Sequence, residues 1–375
     1  MKNNRTFLEK LLDGAEVKWI PLGDVADYEQ PTKYLVNSTV YNDNYPTPVL
    51  TAGKTFILGY TNEDEGIYFA SKSPVIIFDD FTTANKWVDF DFKAKSSAMK
   101  MITSKNEKFA LLKYIYYWLN TLPNNQTDGD HKRQWISNYA NKLIPIPPLP
   151  VQTEIVKILD ALTALTSELT SELTLRRKQY EYYREKLLSE EELGKVGFDW
   201  KYLIQVADLT RGRVISKEYL SDNVGDYPVY SSQTVDNGEI GKINSFDFDG
   251  EFVSWTTDGA NAGTVFYRSG KFSITNVCGL IKIKNNSELN YKFLFYWLSI
   301  EAKKHVYSGM GNPKLMSHQM EKIKIPIPPL SLQTEIVKIL DKFENLTNSI
   351  TEGLPLAIEQ SQKRYEYYRE LLLNF

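Results

Sequence analysis

The chain states nearly the same segment twice. Residues 144–160 read IPIPPLPVQTEIVKILD and residues 325–341 read IPIPPLSLQTEIVKILD, with 15 of 17 positions identical at an offset of 181 residues. The same offset places VKWIPLGDVAD at 17–27 on FDWKYLIQVAD at 198–208, pairing Trp19 with Trp200, Leu22 with Leu203, Val25 with Val206, Ala26 with Ala207 and Asp27 with Asp208. Solenoid repeats run to roughly 20 to 50 residues, so a period this long implies a duplicated domain with its connector. Two related copies imply two related tasks.

At 375 residues and 43.2 kDa the chain is long enough for two or three domains, each burying its own core. Hydrophobic residues at 42% and charged residues at 24% are ordinary for a globular protein. No apolar run reaches the roughly 18 residues of a membrane span, and MKNNRTFLEKLL lacks the apolar core of a signal peptide. A cytoplasmic location without membrane contact is therefore the expectation. Cys278, the single cysteine, excludes an internal disulfide and reads as a buried strand residue within NVCGLIKI. A net charge of −3 excludes overall basicity as a means of binding nucleic acid, so any such footprint must be local.

Two textures alternate. Residues 1–143 form a first domain, 144–195 a first helix, 196–324 a second domain and 325–375 a second helix. The domains carry short β-branched runs, PVIIFDD, KWVDFDF and SAMKMIT in the first, EFVSW, GTVFYR, FSITNV and GLIKIK in the second, separated by turn sequences such as DNGEIGK and TDGANAG. Each closes with an aromatic helical stretch, FALLKYIYYWLNTL at 109–122 and YKFLFYWLSIEAKK at 291–304. Such a stripe stacks bases or packs a core, and core packing is the stronger reading.

The repeated texture is helical. Pro147-Pro148 and Pro328-Pro329 favour an extended approach, and Pro150 or Ser331 suits a helix start just after. Ile158, Leu162, Leu165, Leu169, Tyr180, Tyr183 and Leu187 then recur every three or four residues, or after longer steps that keep the face, and form one apolar seam. Ile339, Phe343, Leu346, Ile350, Tyr365, Tyr368 and Leu372 repeat it. About 40 residues at about 1.5 Å each give a rod on the order of 60 Å. The nearest partner for either seam is the other helix, running antiparallel. FLEKLLDGAEVKW at 7–19 echoes REKLLSEEELGKVGFDW at 184–200, as though a circular molecule had been cut. The expected class is α+β: two pseudo-twofold-related β-rich domains separated by a pair of long antiparallel helices, a dumbbell.

The rods differ in one respect. The YEYYRE motifs at 180 and 365 are 185 apart, so the second copy carries four extra residues around Gly353-Leu354-Pro355, where Pro355 predicts a kink or short break. The first copy carries a tandem tetrapeptide, TSEL at 166–169 and again at 170–173.

The order of variable domain, IPIPP…QTEIVKILD…YEYYREKLL, variable domain and the same helix again resembles the specificity subunit of type I restriction-modification systems across essentially the whole chain. The resemblance implies that each variable domain is a target-recognition domain reading one half of a split, asymmetric site in double-stranded DNA. It implies that the helices set the spacer and dock two methylation subunits, that restriction subunits join the full complex, and that TSEL is a tract whose copy number alters half-site spacing. The chain itself then holds no cofactor, with S-adenosylmethionine, ATP and Mg expected on partner subunits.

Base edges are read by side chains, with Arg or Lys suited to guanine and Asn or Gln to adenine. In the first domain the candidates are Thr51, Lys54 and Thr55 in TAGKT, Thr82, Thr83, Asn85 and Lys86 in FTTANK, and Lys132, Arg133 and Gln134 in GDHKRQWIS. The second domain offers Arg211, Arg213 and Lys217 in RGRVISK, Ser231, Ser232, Gln233 and Asn237 in SSQTVDN, and Thr256, Thr257 and Asn261 in WTTDGANAG. Lys303, Lys304, His305, Asn312 and Lys314 complete the set in KKHVYSGMGNPKLMSHQ. The segments just before each IPIPP carry the role by resemblance, and the matched loops are better candidates than any single residue.

No catalytic constellation is expected. Asn312-Pro313-Lys314-Leu315 lacks the second proline and aromatic ring of an adenine methyltransferase motif, and no Walker-type phosphate loop is present. Three histidines and one cysteine, widely scattered, do not make a zinc site. Asp79-Asp80 and the Asp247/Asp249/Glu251 run imitate a nuclease metal site, but no catalytic lysine accompanies them. Two other readings remain open: a specificity module for a stand-alone methyltransferase or type II-like restriction enzyme, and a helical adaptor that binds no DNA.

Overall fold

A computed structural model describes residues 7–52, 55–123, 133–307, 311–349 and 351–375. The chain divides into two compact units, residues 1–170 with 357–375, and residues 171–356. The division runs through the helices, so each unit holds one β-rich head, the start of one long helix and the end of the other.

The duplicated IPIP segments become strands for the same reason in both units. Alternating Ile and Pro residues cannot extend a helix, and each segment pairs antiparallel with the Trp-bearing strand that opens its head. Lys18–Pro21 pairs with Leu143–Ile146, setting Trp19 opposite Pro145, and Asp199–Tyr202 pairs with Lys324–Ile327, setting Trp200 opposite Pro326. Each two-stranded ribbon thus joins the first and last residues of a head and delivers the chain to a helix.

In unit 2 the head is one six-stranded sheet. Its order is Ala207–Arg211, Cys278–Ile283, Phe248–Thr256, Val265–Ile274, Val224–Tyr230, Glu239–Ile243. The ten-residue strand Val265–Ile274 makes it continuous, pairing antiparallel with Phe248–Thr256 and parallel with Val224–Tyr230. Unit 1 has the same plan cut in two. Asn85–Val88 closes a four-stranded sheet with Ala26–Glu29, Met99–Ser104 and Val75–Asp79, while Lys93–Ala94 closes a three-stranded one with Thr47–Leu50 and Ile57–Thr61. The interruption falls at Asp89-Phe90-Asp91, where Asp89 accepts from the Trp87 indole at 3.1 Å and Asp91 accepts from the Ser71 hydroxyl at 2.6 Å.

The aromatic stretches are core helices. Leu112–Leu119 buries Tyr114, Tyr117 and Trp118, and Tyr291–Glu301 buries Phe293, Tyr296 and Trp297. Each is pinned to its long helix by the same pair of bonds. Tyr117 donates to Asp160, with Lys113 3.5 Å from that carboxylate; Tyr296 donates to Asp341 at 2.6 Å, with Lys292 at 2.7 Å. Among the described residues no helix is long and apolar enough to cross a membrane.

The first long helix is unbroken from Leu149 to Leu187, starting one residue ahead of Pro150. The second is in two pieces, Leu330–Asn348 and Leu354–Leu373. The break falls where Pro355 predicts one: Gly353 takes a φ of 84°, and a Cβ there would stand 2.5 Å from the Asn345 carbonyl. Late residues of one helix meet early residues of the other, as antiparallel pairing requires. In unit 1 Tyr365 and Tyr368 pack on the cluster containing Ile155 and Leu159, and the Thr166 and Ser361 hydroxyls lie 2.8 Å apart. In unit 2 the Tyr183 ring stacks on Phe343 at 5.6 Å, with Tyr180 beside it at 6.4 Å.

The seam needs a correction of register. The buried apolar positions at the start of each helix are Val151, Ile155 and Leu159, and Ile336, Val337 and Leu340. Ile158, Leu162, Leu169, Tyr180, Tyr183, Leu187, Ile339, Phe343, Leu346, Tyr365 and Tyr368 are half-buried, Leu165 is exposed, and Leu372 is buried. Ile350 lies outside the described residues. The early turns face a whole head, so the stripe buried there is set by the aromatic helix and not by the other rod. The suggestion of a cut circle corresponds to a shared core in unit 1, where Leu11 and Leu12 of the short helix Phe7–Leu12 pack in one cluster with Leu372, Leu373 and Phe375.

Candidate nucleic-acid interface

In unit 1 the loop after Val75–Asp79 is organised by two adjacent carboxylates. Asp79 Oδ1 accepts the backbone N–H groups of Phe81 at 2.9 Å and Thr82 at 3.2 Å, closing a turn in which Thr83 takes a φ of 63°. Asp80 reaches the other way. Its carbonyl accepts the Gln134 N–H and its Oδ1 the Trp135 N–H, both at 2.8 Å, so the 79–86 loop and the segment from Arg133 onward form one structure. Its Oδ2 lies 3.7 Å from Lys100 Nζ, a lysine only 1% exposed. Burial holds the Lys100 ammonium below its usual range, Asp80 opposes that shift, and the nearby Arg133 charge adds to it. Lys100 also sits 4.6 Å over the Tyr28 ring. With its amide oxygen turned toward them, Gln30 accepts from Lys100 and Arg133, both at 3.1 Å. Thr82 and Lys86 remain exposed on this loop, and Asn85 is half-buried. Thr51 and the exposed Thr55 stand in the hairpin between Thr47–Leu50 and Ile57–Thr61, closed by the Thr51 N–H to the Phe56 carbonyl at 2.9 Å. Lys54 and Lys132 lie outside the described residues.

Unit 2 gathers its candidates more closely. The Leu315 N–H donates to the Thr257 carbonyl at 3.0 Å, in the place of the Gln134 to Asp80 bond of unit 1. Gly259 N–H donates to the Pro313 carbonyl at 3.0 Å, and Tyr307 and Lys314 exchange backbone bonds, so residues 313–315 lie against the 256–263 turn. Asn261 Nδ2 donates to the Ser232 carbonyl at 3.0 Å, tying in the 231–238 loop. Arg211 Nη2 donates to Thr257 Oγ1 at 3.0 Å and to the Asn276 carbonyl at 2.6 Å. Lys217, Asn237, Lys303, Lys304, His305, Asn312 and Lys314 are exposed, whereas Ser231, Ser232, Gln233 and Asn261 are half-buried.

Several candidates are otherwise employed. Thr83, Thr256 and Thr257 are buried, at 1%, 0% and 0% exposure, and shape their turns from inside; they are corrected from surface contacts to loop supports. Arg213 Nε lies 2.9 Å from Asp247, and Lys304 and His305 lie 2.7 and 3.0 Å from Glu301. Asp79 and Asp80 hold backbone N–H groups and Lys100, Asp247 holds Arg213 and Glu251 accepts from the Tyr267 hydroxyl, and no group of three potential metal ligands exists among the described residues.

The two heads fill equivalent space from different elements. In unit 1 Trp135 enters from the last loop, packing edge-on to Phe78 at 5.4 Å and Tyr28 at 6.4 Å. In unit 2 the tryptophan is on the strand instead. Trp255 faces Gly279 across the ladder as Phe78 faces Lys100, and a Cβ on Gly279 would stand 2.1 Å from the Trp255 ring. Lys100 and its partners Gln30 and Tyr28 were missed by sequence reasoning; the signal was a lysine in the middle of the apolar run SAMKMIT.

The profile of the type I restriction modification DNA specificity domain matches residues 15–175 and 196–360. The chain belongs to the type I restriction-modification DNA specificity family. A type I restriction enzyme specificity subunit of Escherichia coli is 49% identical, over 99% of this chain and 97% of its own length. A putative type I restriction enzyme specificity subunit of Haemophilus influenzae is 39% identical over the full length of both. The crystal structure of a type I restriction-modification S subunit from M. genitalium has the same fold, with a TM-score of 0.69 at 15% identity, covering 96% of this chain and 97% of that one. The matched domain occurs twice in this chain, each copy running from a head into its helix.

Proposed function

We propose that the chain is the DNA-reading subunit of a type I restriction-modification complex, each head reading one half of a bipartite asymmetric site. One observation carries the reading: the same pair of loops is tied together in both heads, by Gln134 to Asp80 and by Leu315 to Thr257, while the residues around them differ. A conserved frame with different side chains is what two different short words require. Thr82, Asn85, Arg133 and Gln134 are the proposed readers of head 1, and Arg211, Gln233, Asn237, Asn261 and Asn312 those of head 2, while Lys86 and Lys314 hold phosphates. The paired helices fix the distance between the words and dock two methylation subunits. Those subunits bring S-adenosylmethionine and flip the target adenine, and restriction subunits bring ATP and Mg. This chain performs no chemistry of its own and works in the cytoplasm. Methylome sequencing of cells with and without the gene tests the reading: one bipartite adenine motif disappears on deletion. Unchanged modification of every bipartite motif refutes it.

A further inference from the structure

The 231–238 loop of head 2 is built against its own backbone preferences. Asp236, Asn237 and Gly238 are consecutive left-handed residues, with φ of 49°, 53° and 84°. Asp and Asn tolerate that region better than other side chains, but two in a row persist only where the surroundings hold them. The restraint comes from inside the sheet. Arg268, on the strand Val265–Ile274 and 5% exposed, donates from Nη2 to the Asn237 carbonyl at 2.6 Å. Its Nε donates to Ser254 Oγ at 3.0 Å, and its guanidinium lies 3.6 Å from the Tyr230 ring centre. The Ser231 N–H donates to the Gly238 carbonyl at 2.8 Å and closes the loop.

A cation in this position is not a requirement of the fold. Arg268 faces Phe252 across the ladder as Val88 faces Val75 in head 1, and Tyr230 holds the strand position that Leu50 holds there. Val88 and Leu50 are fully buried apolar residues, so the homologous head folds without a charge at this point. Burying a guanidinium is unfavourable unless its donors are used. Burial pushes Arg268 down to about 10, which still leaves it cationic at neutral pH. What the charge adds in head 2 is the hold on the loop.

We propose that Arg268 is a positioning residue for DNA specificity: from within the sheet it fixes the 231–238 loop in one shape, so that the word read by head 2 depends on a side chain that does not itself reach the DNA. The inference rests on the reading of head 2 as one of two word-reading domains. It differs from a general packing role because it touches one word only.

The test is methylome mapping of cells carrying the complete system with Arg268→Lys or Gly238→Ala in this chain. Lysine keeps the charge but cannot serve Asn237 and Ser254 together. Alanine at 238 disturbs the loop directly, at a φ of 84°, since its Cβ would stand 3.0 Å from the Gln233 carbonyl, 3.1 Å from that of Ser231 and 3.3 Å from Arg268 Nη2. The expected result is that both variants relax the same single word, with preference for the cognate base over its alternatives falling at least about tenfold, while the other word and the spacer stay unchanged. Continued modification at the other word shows that the subunit is folded and assembled. A second word that survives both variants overturns the proposal, and so does equal loss at both words, the mark of a stability defect. A wild-type methylome without any bipartite motif removes the underlying reading first, and is distinguishable from either.

Discussion

Gln152 and Gln333 make the same three hydrogen bonds 181 positions apart. Gln152 Nε2 donates to the carbonyls of Phe109 and Pro147 and its Oε1 accepts the Leu111 N–H; Gln333 does the same with Glu288, Pro328 and Asn290. Both are 0% exposed. Each thereby fixes the start of a long helix to the aromatic helix and to the double proline before it. Gln152→Leu keeps the volume and orphans one N–H and two carbonyls, so a loss of about 3 kcal/mol is expected in urea unfolding. A loss below about 0.5 kcal/mol would show that the amide only fills space. These glutamines stand out in the sequence as identical polar residues inside a repeated apolar helix, and their role was hidden only because two of the three partners of each lie 41 to 45 residues earlier. Cys278 was legible in a simpler way, as a thiol within an apolar strand. Burial pushes it up to about 11, so at pH 8 only about one thiol in a thousand is ionised. The native protein should therefore resist maleimide labelling over hours while the urea-unfolded chain labels within minutes, as mass spectrometry would record.

The long helices show what periodicity does and does not disclose. Proline and glycine marked the break in the second helix, because neither depends on distant neighbours: Pro355 sits in the first turn of Leu354–Leu373, where its missing N–H costs nothing. The buried stripe was placed one residue away, because apolar residues are dense enough at 151–159 to draw two faces, and only the packed aromatic helix selects between them. In the first helix the tandem TSEL leaves Leu169 and Leu173 half-buried four residues apart, on one face. A third TSEL inserts about 6 Å and about 400° of rotation, so side chains beyond it return to within about 40° of their former direction. The expected outcome is an unchanged pair of words whose spacer is longer by roughly one to two base pairs, read by methylome sequencing of a strain with the three-copy gene. An altered word at constant spacing would contradict the role of the helix as a ruler.

At the scale of the whole molecule, the duplication and the family were legible because they rest on identity between distant segments, which needs no geometry. The composition of the reading surfaces was not. Whether Thr82 or Thr83 faces outward depends on which one takes the left-handed conformation, and whether a lysine is free depends on segments far apart in the sequence, as in the Lys100–Asp80 ion pair. The charge balance now constrains binding. With 44 basic and 47 acidic residues the chain has no bulk attraction for DNA, so affinity must come from a few placed cations. Lys86, Lys217, Lys303 and Lys314 are exposed on the candidate loops, whereas Arg213 and Lys304 are neutralised by Asp247 and Glu301. Each phosphate contact adds about −0.9 to the slope of log affinity against log salt. The assembled complex should therefore bind its site with a steep negative slope, and Lys86→Ala should reduce its magnitude by about one while leaving both words intact. Fluorescence anisotropy between about 50 and 200 mM salt measures this. A slope near zero would mean that the heads are not held by phosphates, and an altered word in Lys86→Ala would move that lysine from the backbone to a base edge.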